Sequence, residues 1–209
     1  MIKILIADDH SVVRKGLRQI LMEGFPASVI EEVGDAEEMI SKVIHEQWDV
    51  IISDLSMPGR SGLEALQQIK QINPKIPVLI LSIHPEEQYA IRVLKAGASG
   101  YLSKDMAPEE LVKAVEKVML GKKYITASIA EKLASMFDQG GEKYPHENLS
   151  DREFIVLKML AKGKTVSEIA ESLFLSVTTV STYRSRIMTK MNLKNNSDLI
   201  LYCIENKLI

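Results

Sequence analysis

The rest of this chain is organised around the segment Val50-Ile51-Ile52-Ser53-Asp54-Leu55-Ser56-Met57-Pro58-Gly59-Arg60-Ser61-Gly62. Its apolar first part ends on one acid, Asp54, and a polar turn follows before a helical pattern begins at Leu63. A short apolar run bounded by turn residues is typical of a buried parallel strand. Ligands of open α/β sheets bind at the carboxyl ends of such strands, which makes Asp54 a candidate site residue. Taken alone, Asp54 is more simply interpreted as an acid that caps the loop.

Further apolar runs alternate with amphipathic helical patterns throughout residues 1–121. The five predicted strands cover residues 2–7, 29–33, 48–53, 77–81 and 100–103. This alternation predicts a five-stranded, doubly wound parallel sheet, with helices on both faces and right-handed crossovers. Parallel strands have their carboxyl ends at one edge of the sheet. The residues that follow these strands are therefore expected to converge, and they are Asp8, Asp9, Asp54, Ser82 and Lys104.

The charge of the chain is unevenly distributed. Residues 1–121 contain 13 Lys and Arg against 18 Asp and Glu, a net charge of −5, whereas residues 147–209 contain 9 against 7, a net charge of +2. An acidic part joined to a mildly basic part suggests two functions, although +2 is weak support for nucleic-acid binding.

Cysteine usage and hydropathy exclude several classes of protein. Cys203 is the only cysteine, which excludes an internal disulfide framework and a cysteine-only zinc site. No apolar run approaches the length of a membrane span, and the acids Asp8 and Asp9 come too early for a secretory signal peptide. We therefore expect a cytoplasmic protein that makes no contact with membranes.

A linker is predicted between the two parts of the chain. Gly121 ends the α/β pattern, and residues 122–146 combine one short helical pattern with Gly140-Gly141 and Pro145. Residues 147–209 have the pattern of four helices. The residues expected to cap these helices are Ser150 with Glu153, Thr165 with Glu168, Ser176, and either Asn196 or Ser197.

The groups expected at the sheet edge suit the transfer of a phosphoryl group. Three carboxylates repel each other, and a hard divalent cation such as Mg²⁺ offsets this, since it binds carboxylates together with phosphate oxygens and water. A carboxylate can also act as a nucleophile towards phosphorus, and the transfer then requires mainly positioning and charge neutralisation. Lys104 would supply a cation and Ser82 a hydroxyl donor. Each residue alone has a simpler interpretation as a helix cap or a solvated loop residue, but their joint occurrence at strand ends favours a site.

Residues 1–121 closely resemble the receiver domain of two-component response regulators. The resemblance is carried by the Asp8-Asp9 pair, by Asp54 in Ser-Asp-Leu-Ser-Met-Pro-Gly-Arg-Ser-Gly, by Ser82, and by Lys104 after Tyr101-Leu102-Ser103. It implies that Asp54 accepts a phosphoryl group from a sensor histidine kinase.

The same resemblance implies roles for the neighbouring residues. Mg²⁺ would be held by Asp9, by Asp54 and by the backbone carbonyl of Ser56, with Asp8 acting mostly through water. The phosphoryl group would be contacted by Lys104, which pairs with its oxygens, and by Ser82, which swings in to hydrogen-bond them, while Tyr101 rotates inward behind Ser82. A half-exposed strand aromatic is the alternative interpretation of Tyr101.

Residues 149–209 resemble the LuxR-type four-helix domain of NarL/FixJ response regulators. The segments that carry this resemblance are Leu149-Ser150-Asp151-Arg152-Glu153, Gly163-Lys164-Thr165-Val166-Ser167-Glu168-Ile169-Ala170, Leu175-Ser176, Thr179-Val180 and Lys190-Met191. A helix, a tight turn and a second helix form the minimal DNA-reading layout, in which the second helix enters the major groove of double-stranded DNA.

The outward side of the predicted recognition helix is polar. Opposite the inward residues Val180, Ile187 and Met191, the candidate DNA contacts are Thr178, Ser181, Thr182, Arg184, Ser185 and Arg186, with Lys164 and Lys190 as candidate contacts to the DNA backbone. A solvated helix face is the alternative interpretation. Two residues depart from the common pattern, since Thr178 stands where many relatives have Lys and Tyr183 where many have His. The missing Lys should weaken binding, and it leaves open which DNA sequence the helix reads.

These observations lead to the hypothesis of a phosphorylation-switched transcription factor that binds paired DNA sites as a homodimer and is not an enzyme beyond slow self-dephosphorylation. One alternative is a DNA-binding regulator that works without phosphorylation. Another is a haloacid-dehalogenase-like phosphatase, but Ser56 breaks the D-x-D pattern of those enzymes and the chain has no cap insertion. The dimer surface is open between the first helix with the last receiver helix and the fourth helix with the fifth strand.

Overall fold

The computed structural model describes residues 1–106, 108–138 and 144–209. These residues divide into two compact units, Met1–Ser135 and Met136–Ile209. Gly140-Gly141 of the predicted linker lies outside the described residues. None of the helices among the described residues is long and apolar enough to cross a membrane.

The first unit is built on a parallel sheet, which confirms the predicted doubly wound fold. Its strands are β1 (Lys3–Ala7), β2 (Val29–Val33), β3 (Val50–Asp54), β4 (Val78–Ser82) and β5 (Gly100–Ser103), and they lie in the order β2-β1-β3-β4-β5. The direction of winding reverses between β1 and β3, and ligands of such sheets bind in the crevice at this point. Because Ala7 pairs with Ser53, the next residues of the two strands, Asp8 and Asp54, are neighbours there.

Helices cover both faces of the sheet. They are α1 (Ser11–Gly24), α2 (Ala36–His45), α3 (Gly62–Ile72), α4 (Glu86–Lys95) and α5 (Pro108–Met119). A further helix, α6 (Ala127–Asp138), follows α5 in the chain. On one face, Leu21 of α1 and Leu111 of α5 join the buried side chains of the strands. On the other face α2 packs against α3, while α4 packs against β5. Consecutive strand residues such as Ile51 and Ile52 are therefore both fully buried, as the continuous apolar runs predict.

The helix α6 lies inside the predicted linker, where the sequence predicts one short helix. Its residue Ile129 is buried, and Lys132 Nζ donates a hydrogen bond of 2.6 Å to the carbonyl of Glu87 in α4. The start of the predicted linker is therefore attached to the first unit.

The second unit is helical, as predicted. A short 3-10 helix (Pro145–Asn148) precedes α7 (Asp151–Ala161), α8 (Val166–Ser172), α9 (Val177–Lys190) and α10 (Asn196–Glu205). The four α-helices share one core, whose buried side chains include Phe154, Leu157, Ile169, Val180, Ile187, Leu199 and Cys203. Burial raises the pKa of the Cys203 thiol to about 11, which agrees with its interpretation as a small core residue.

The predicted caps of the first three helices in this unit are confirmed. The Ser150 and Thr165 side chains accept hydrogen bonds from the amides of Glu153 and Glu168, whose carboxylates in turn accept from the cap amides. Ser176 accepts from the third amide of α9 in the same way.

The predicted cap of α10 is wrong. Asn195, rather than Asn196 or Ser197, accepts the hydrogen bond from the Asp198 amide. Asn195 is the residue with extended backbone (φ −153°, ψ 172°), and Asn196 already belongs to the helix. Two consecutive asparagines carry the same capping signal, so only the backbone distinguishes them.

Candidate functional site

Three charged side chains meet at the carboxyl edge of the sheet. Asp8 directly follows β1 and is 1% exposed, and Asp54 ends β3 and is 4% exposed. Lys104 directly follows β5, and its Nζ lies 2.7 Å from Asp8 Oδ2 and 2.8 Å from Asp54 Oδ2. One ammonium group therefore bridges two buried carboxylates that come from different strands.

These ion pairs keep the side chain of Lys104 charged. Burial acts to lower the pKa of Lys104, but hydrogen bonds to Asp54 and Asp8 outweigh the effect of burial, and the pKa is raised above its ordinary value. Asp9 adds a further carboxylate beside this group. The cluster therefore holds more acidic than basic groups, and an added cation would offset their repulsion.

The acidic residues also form a cluster of potential metal ligands. Asp8, Asp9, His10 and Asp54 each contribute one oxygen or nitrogen atom, and these atoms lie within 4.8 Å of one another. Asp9 Oδ1 is buried and makes no hydrogen bond to the described residues, although His10 Nδ1 lies 2.8 Å away. Carboxylate oxygens of this kind are the ligands that Mg²⁺ prefers. The cluster therefore fits a hard divalent cation, and it includes His10, for which the sequence carried no signal beyond its position next to Asp9.

The backbone after Asp54 folds back on itself, which requires a glycine. A Cβ atom at Gly62 would lie 1.9 Å from the carbonyl oxygen of Asp54, and the Gly62 amide donates to the carbonyl of Leu55 at 3.0 Å. Ser61 caps α3 in a capping box with Glu64, so the helix begins directly against the end of β3. The polar turn seen in the sequence thus holds the main chain of Asp54 in place.

Ser82 and Tyr101 are joined through the main chain of His84. The His84 amide donates to Ser82 Oγ at 3.0 Å, and the His84 carbonyl accepts from the Tyr101 hydroxyl at 2.7 Å. Tyr101 is 2% exposed, so its interpretation as a half-exposed aromatic is wrong, and its ring lies inward. Burial raises the pKa of Tyr101 to about 12, so the hydroxyl keeps its proton and can donate it in this hydrogen bond.

The side chain of His84 is a second feature that sequence reasoning missed. Its Nε2 lies 3.0 Å from Ser56 Oγ, and its ring stacks on Tyr89 with the centroids 4.8 Å apart. Ser56 in turn donates its amide to Asp54 Oδ1 at 3.3 Å. His84 therefore connects the loop after β4 with the loop after β3, and its only sequence signal is its place two residues after Ser82.

The second unit presents a polar helix face. Five of the residues proposed from the sequence are exposed on α9, with the 3- and 4-residue spacing of one helical face: Thr178, Ser181, Thr182, Ser185 and Arg186. Thr189 continues this spacing and is also exposed, although the sequence argument did not include it. Such a face offers hydroxyl groups and a guanidinium to DNA, although the Thr182 and Thr189 hydroxyls already donate to the carbonyls of Thr178 and Ser185 at 3.0 and 3.1 Å.

The other three residues proposed to contact DNA are Arg184, Lys190 and Lys164, and each of them contacts another side chain of the second unit. Arg184 is half-buried, and its guanidinium donates to Asn196 Oδ1 at 3.1 and 2.9 Å. Lys190 Nζ lies 2.6 Å from the buried Glu153 Oε2, and so links α9 to the cap of α7. Lys164 is exposed and reaches Ser172 Oγ at 3.4 Å. Arg184 and Lys190 are therefore engaged in contacts within the second unit.

Both parts of the chain match known protein families. Residues 4–116 match the response regulator receiver domain, and residues 147–203 match the bacterial regulatory proteins of the luxR family. The chain belongs to the response regulators that combine a receiver domain with a LuxR-type DNA-binding domain and control transcription.

Individual relatives align along the whole chain. Response regulator UvrY of Escherichia coli (strain K12) is 37% identical over 209 residues, which cover 100% of this chain and 96% of that protein. RcsB from Salmonella enterica serovar Typhimurium, solved bound to promoter rprA in the presence of the phosphomimetic BeF₃⁻, is 28% identical, with a TM-score of 0.64 and coverage of 96% and 97%. A structure of two RcsB dimers bound to two parallel DNAs is 30% identical, with a TM-score of 0.58 and the same coverage.

Proposed function

We propose that Asp54 accepts a phosphoryl group from a sensor histidine kinase in a Mg²⁺-dependent reaction, and that this phosphorylation switches the DNA binding of the chain. One observation carries the proposal. The buried Asp54 carboxylate lies 2.8 Å from Lys104 Nζ, beside Asp8 and Asp9. A carboxylate held next to a fixed cation at a strand end is arranged for attack on a phosphoryl group, which needs positioning and charge neutralisation.

The transfer can be followed through the side chains of this chain. An oxygen of Asp54 forms a bond to phosphorus while the bond between phosphorus and the kinase histidine nitrogen breaks, so no proton leaves the carboxylate. The Lys104 ammonium, which Asp8 now shares, pairs with a phosphoryl oxygen. The buried Ser82 hydroxyl donates to a second oxygen, and Tyr101 fills the buried space next to it.

The metal would be held by Asp9, Asp54 and the backbone carbonyl of Ser56, with Asp8 acting through water. Bound there, Mg²⁺ supplies positive charge next to the phosphoryl oxygens. The grouping of Asp8, Asp9 and Asp54 oxygens within 4.8 Å of one another supports this assignment.

In this proposal the chain consists of a receiver domain (1–121), a linker (122–146) and a DNA-binding domain (147–209). The exposed face of α9 supports DNA contacts by Thr178, Ser181, Thr182, Ser185 and Arg186, with Lys164 on the DNA backbone. Arg184 and Lys190 would join after leaving Asn196 and Glu153. We further propose that the chain binds paired promoter sites as a phosphorylation-dependent homodimer. The structure of RcsB dimers on DNA supports the dimer in this proposal. With DNA and a kinase as partners, a cytoplasmic location follows.

The test combines phosphorylation with DNA binding in the full-length chain. The protein is treated with acetyl phosphate and Mg²⁺, phosphoryl uptake is read by mass spectrometry, and genomic fragments that bind are sequenced. We expect one phosphoryl group per chain and enrichment of paired sites, both abolished by Asp54→Asn. Asp49→Asn is the matched control, because Asp49 lies at the opposite edge of the sheet, where it accepts from the Lys3 amide at 2.7 Å.

Two results would contradict the proposal. Uptake that persists in Asp54→Asn would place the phosphoryl group elsewhere. Equal enrichment of sites with and without acetyl phosphate would instead support a regulator that binds DNA independently of phosphorylation.

A further inference from the structure

Six lysines are clustered in the chain around the edge of the sheet opposite Asp54. The segments 70–77, 95–99 and 117–123 contain these six lysines and no Asp or Glu, although residues 1–121 carry a net charge of −5. The first two segments lead into β4 and β5, and the third contains the end of α5. An acidic unit therefore carries a local region of positive charge at the amino-terminal ends of two strands.

Four of these lysines line one cavity of about 440 Å³, and they are Lys70, Lys75, Lys122 and Lys123. None of the described residues that line this cavity is acidic. The buried Ser99 also lines it, and Ser99 Oγ accepts a hydrogen bond from the Val78 amide at 3.3 Å, so the hydroxyl proton can be donated to a ligand. Cavities of roughly 300–1,000 Å³ are typical of small-molecule sites.

The ammonium groups of Lys70 and Lys123 are held in place by main-chain oxygens. Lys70 Nζ donates to the carbonyl of Ile76 and, at 3.3 Å, to the carbonyl of Pro74. Lys123 Nζ donates to the carbonyl of Ala98. An ammonium group has three donors, so these contacts leave one donor on Lys70 and two on Lys123. Because a carbonyl oxygen has no net charge, the positive charges are positioned without being neutralised.

Two like charges in one cavity are unfavourable. Burial and, to a lesser degree, the charge of Lys123 lower the pKa of Lys70 to about 8, and burial also lowers the pKa of Lys123. Contacts between a lysine and the last carbonyls of a helix are common, and they explain each of these lysines alone. They do not explain why two cations share a cavity that holds no acid among its described lining residues. A bound anion would offset this cost.

We infer that this cavity binds a small molecule that carries two or more phosphoryl groups. Lysine binds phosphate as a point charge, and four lysines exceed the charge of a single phosphate. A compact polyphosphate can contact Lys70, Lys123 and the Ser99 hydroxyl together, because all three line the same cavity. Since the cavity lies at the opposite edge of the sheet from Asp54, binding there does not depend on the proposed phosphorylation.

The test is isothermal titration calorimetry of the full-length protein with inorganic triphosphate and with ATP. A chelator is present throughout, so that no divalent cation brings the phosphates to Asp54. Inorganic phosphate and citrate are the comparison ligands, since the first has a single phosphoryl group and the second has several charges but no phosphorus. We expect one triphosphate or ATP per chain, bound about ten-fold or more tightly than either comparison ligand.

Variants assign the binding to the cavity. Lys70→Gln and Lys123→Gln should each weaken binding by about ten-fold, which corresponds to the loss of one charge-assisted hydrogen bond. Lys113→Gln is the matched control, because Lys113 pairs with Glu110 on the surface of α5, and it should bind like wild type. Trp48 fluorescence checks that each variant is folded. Lys75→Gln provides a further variant, since Lys75 is exposed and its substitution leaves the packing intact.

Proton uptake gives a second measurement that a purely structural role of Lys70 would not change. A bound anion raises the pKa of Lys70 from about 8, so protons are taken up on binding at pH 8. Titrations in buffers of different ionisation enthalpy measure this uptake. Lys70→Gln should reduce it relative to wild type with the same ligand, and the difference excludes protons that come from the ligand itself.

The outcomes separate support from contradiction. Tighter binding of ATP than of triphosphate would show that the nucleoside also contacts the protein, whereas equal binding would assign recognition to the phosphates, and both results support the proposal. Three results would overturn it: no saturable binding of either ligand, citrate binding as tightly as triphosphate, or equal affinities in Lys70→Gln, Lys123→Gln and Lys113→Gln.

Discussion

Lys104 carries the ammonium group that lies between the buried carboxylates of Asp8 and Asp54. Without it, two like charges would face each other with little water to screen them. Removal of one partner from a buried ion pair is costly because the remaining charge has no compensation. The same carboxylates would then depend on a bound cation.

We therefore expect Lys104→Met to lower the free energy of unfolding of the first unit by roughly 3 kcal/mol in the presence of a chelator, and Mg²⁺ to restore part of the loss. Trp48 is the only tryptophan of the chain and is buried in this unit, so its fluorescence during urea unfolding reports the transition. Lys113→Met is the control, because Lys113 pairs with Glu110 on the surface, where a change within about 0.5 kcal/mol is expected. An equal effect of both variants would show that the cluster does not depend on Lys104.

A second prediction concerns Gly62, which lies against the main chain of Asp54. Gly62→Ala places a methyl group 1.9 Å from the Asp54 carbonyl oxygen, which the main chain has to relieve by moving. We expect a loss of roughly 2–3 kcal/mol and slower phosphoryl uptake, since the backbone of Asp54 moves as well. Gly16→Ala is the matched control, as it adds the same methyl group in α1 with nothing within 4 Å, and there we expect a gain of about 0.5–1 kcal/mol. If Gly62→Ala also proved stabilising, the close approach would not exist in solution.

Among the elements, α7 and α9 are joined through the cap of α7. Glu153 is 2% exposed, it accepts from the Ser150 amide at 2.7 Å, and its Oε2 lies 2.6 Å from Lys190 Nζ. Burial acts to raise the pKa of Glu153, but the hydrogen bonds from Lys190 and Ser150 outweigh it, and the pKa is lowered. One carboxylate thus caps one helix and binds another.

This arrangement predicts a pH-dependent contribution to the stability of the second unit. Because the pKa of Glu153 is lower in the folded than in the unfolded state, its contribution is complete above the ordinary value of 4.5 and is lost as the pH falls through the folded value. Glu153→Gln should cost about 1–2 kcal/mol at pH 7 and progressively less below pH 4.5. Circular dichroism during urea unfolding, compared with Trp48 fluorescence, separates this transition from that of the first unit.

Glu168→Gln provides the comparison for this measurement. Glu168 forms the same capping box with Thr165 in α8, but Glu168 and Thr165 are both exposed. Its substitution should therefore change the free energy of unfolding by no more than about 0.5 kcal/mol at pH 7. A cost in Glu153→Gln that persists unchanged below the folded pKa would mean that the charge of Glu153 is not what stabilises the unit.

The whole chain combines an acidic receiver part, with a net charge of −5, and a basic DNA-binding part, with a net charge of +2. The acidic receiver part repels DNA, while the basic groups of the C-terminal part have to attract it. Arg186 lies on the exposed face of α9. The two other cations of this helix, Arg184 and Lys190, are instead paired with Asn196 and Glu153. Binding of phosphates by such cations releases counterions and makes affinity salt-dependent.

Arg186→Ala should accordingly weaken binding to the enriched DNA sites by roughly ten-fold and reduce the salt dependence by about one unit of slope. Binding is measured by fluorescence anisotropy over a series of salt concentrations, using the beryllofluoride-treated protein. Lys113→Gln removes the same charge from the surface of α5 and should leave both quantities close to wild type. Equal losses in the two variants would indicate a general charge effect and exclude a specific contact by Arg186.

The fold class and the convergence of Asp8, Asp54 and Lys104 at one edge of the sheet were predictable from the sequence alone, whereas the predicted ends of β3 and β4 were one residue too early. The correct predictions follow from local patterns, since strand periodicity and the shared direction of parallel strands can be read without knowing any distance. The capping boxes and the buried Cys203 also followed from local signals.

The partners of these side chains, in contrast, became apparent only from the three-dimensional structure. It placed Lys104 between two acids, added His10 and His84 to the site, and engaged Lys190 with Glu153. It also attached Thr126 and Lys132 to α4, where the sequence predicted no more than a linker with a short helix. Each of these contacts joins separate elements of the fold, and such a contact depends on packing distances that no local pattern encodes.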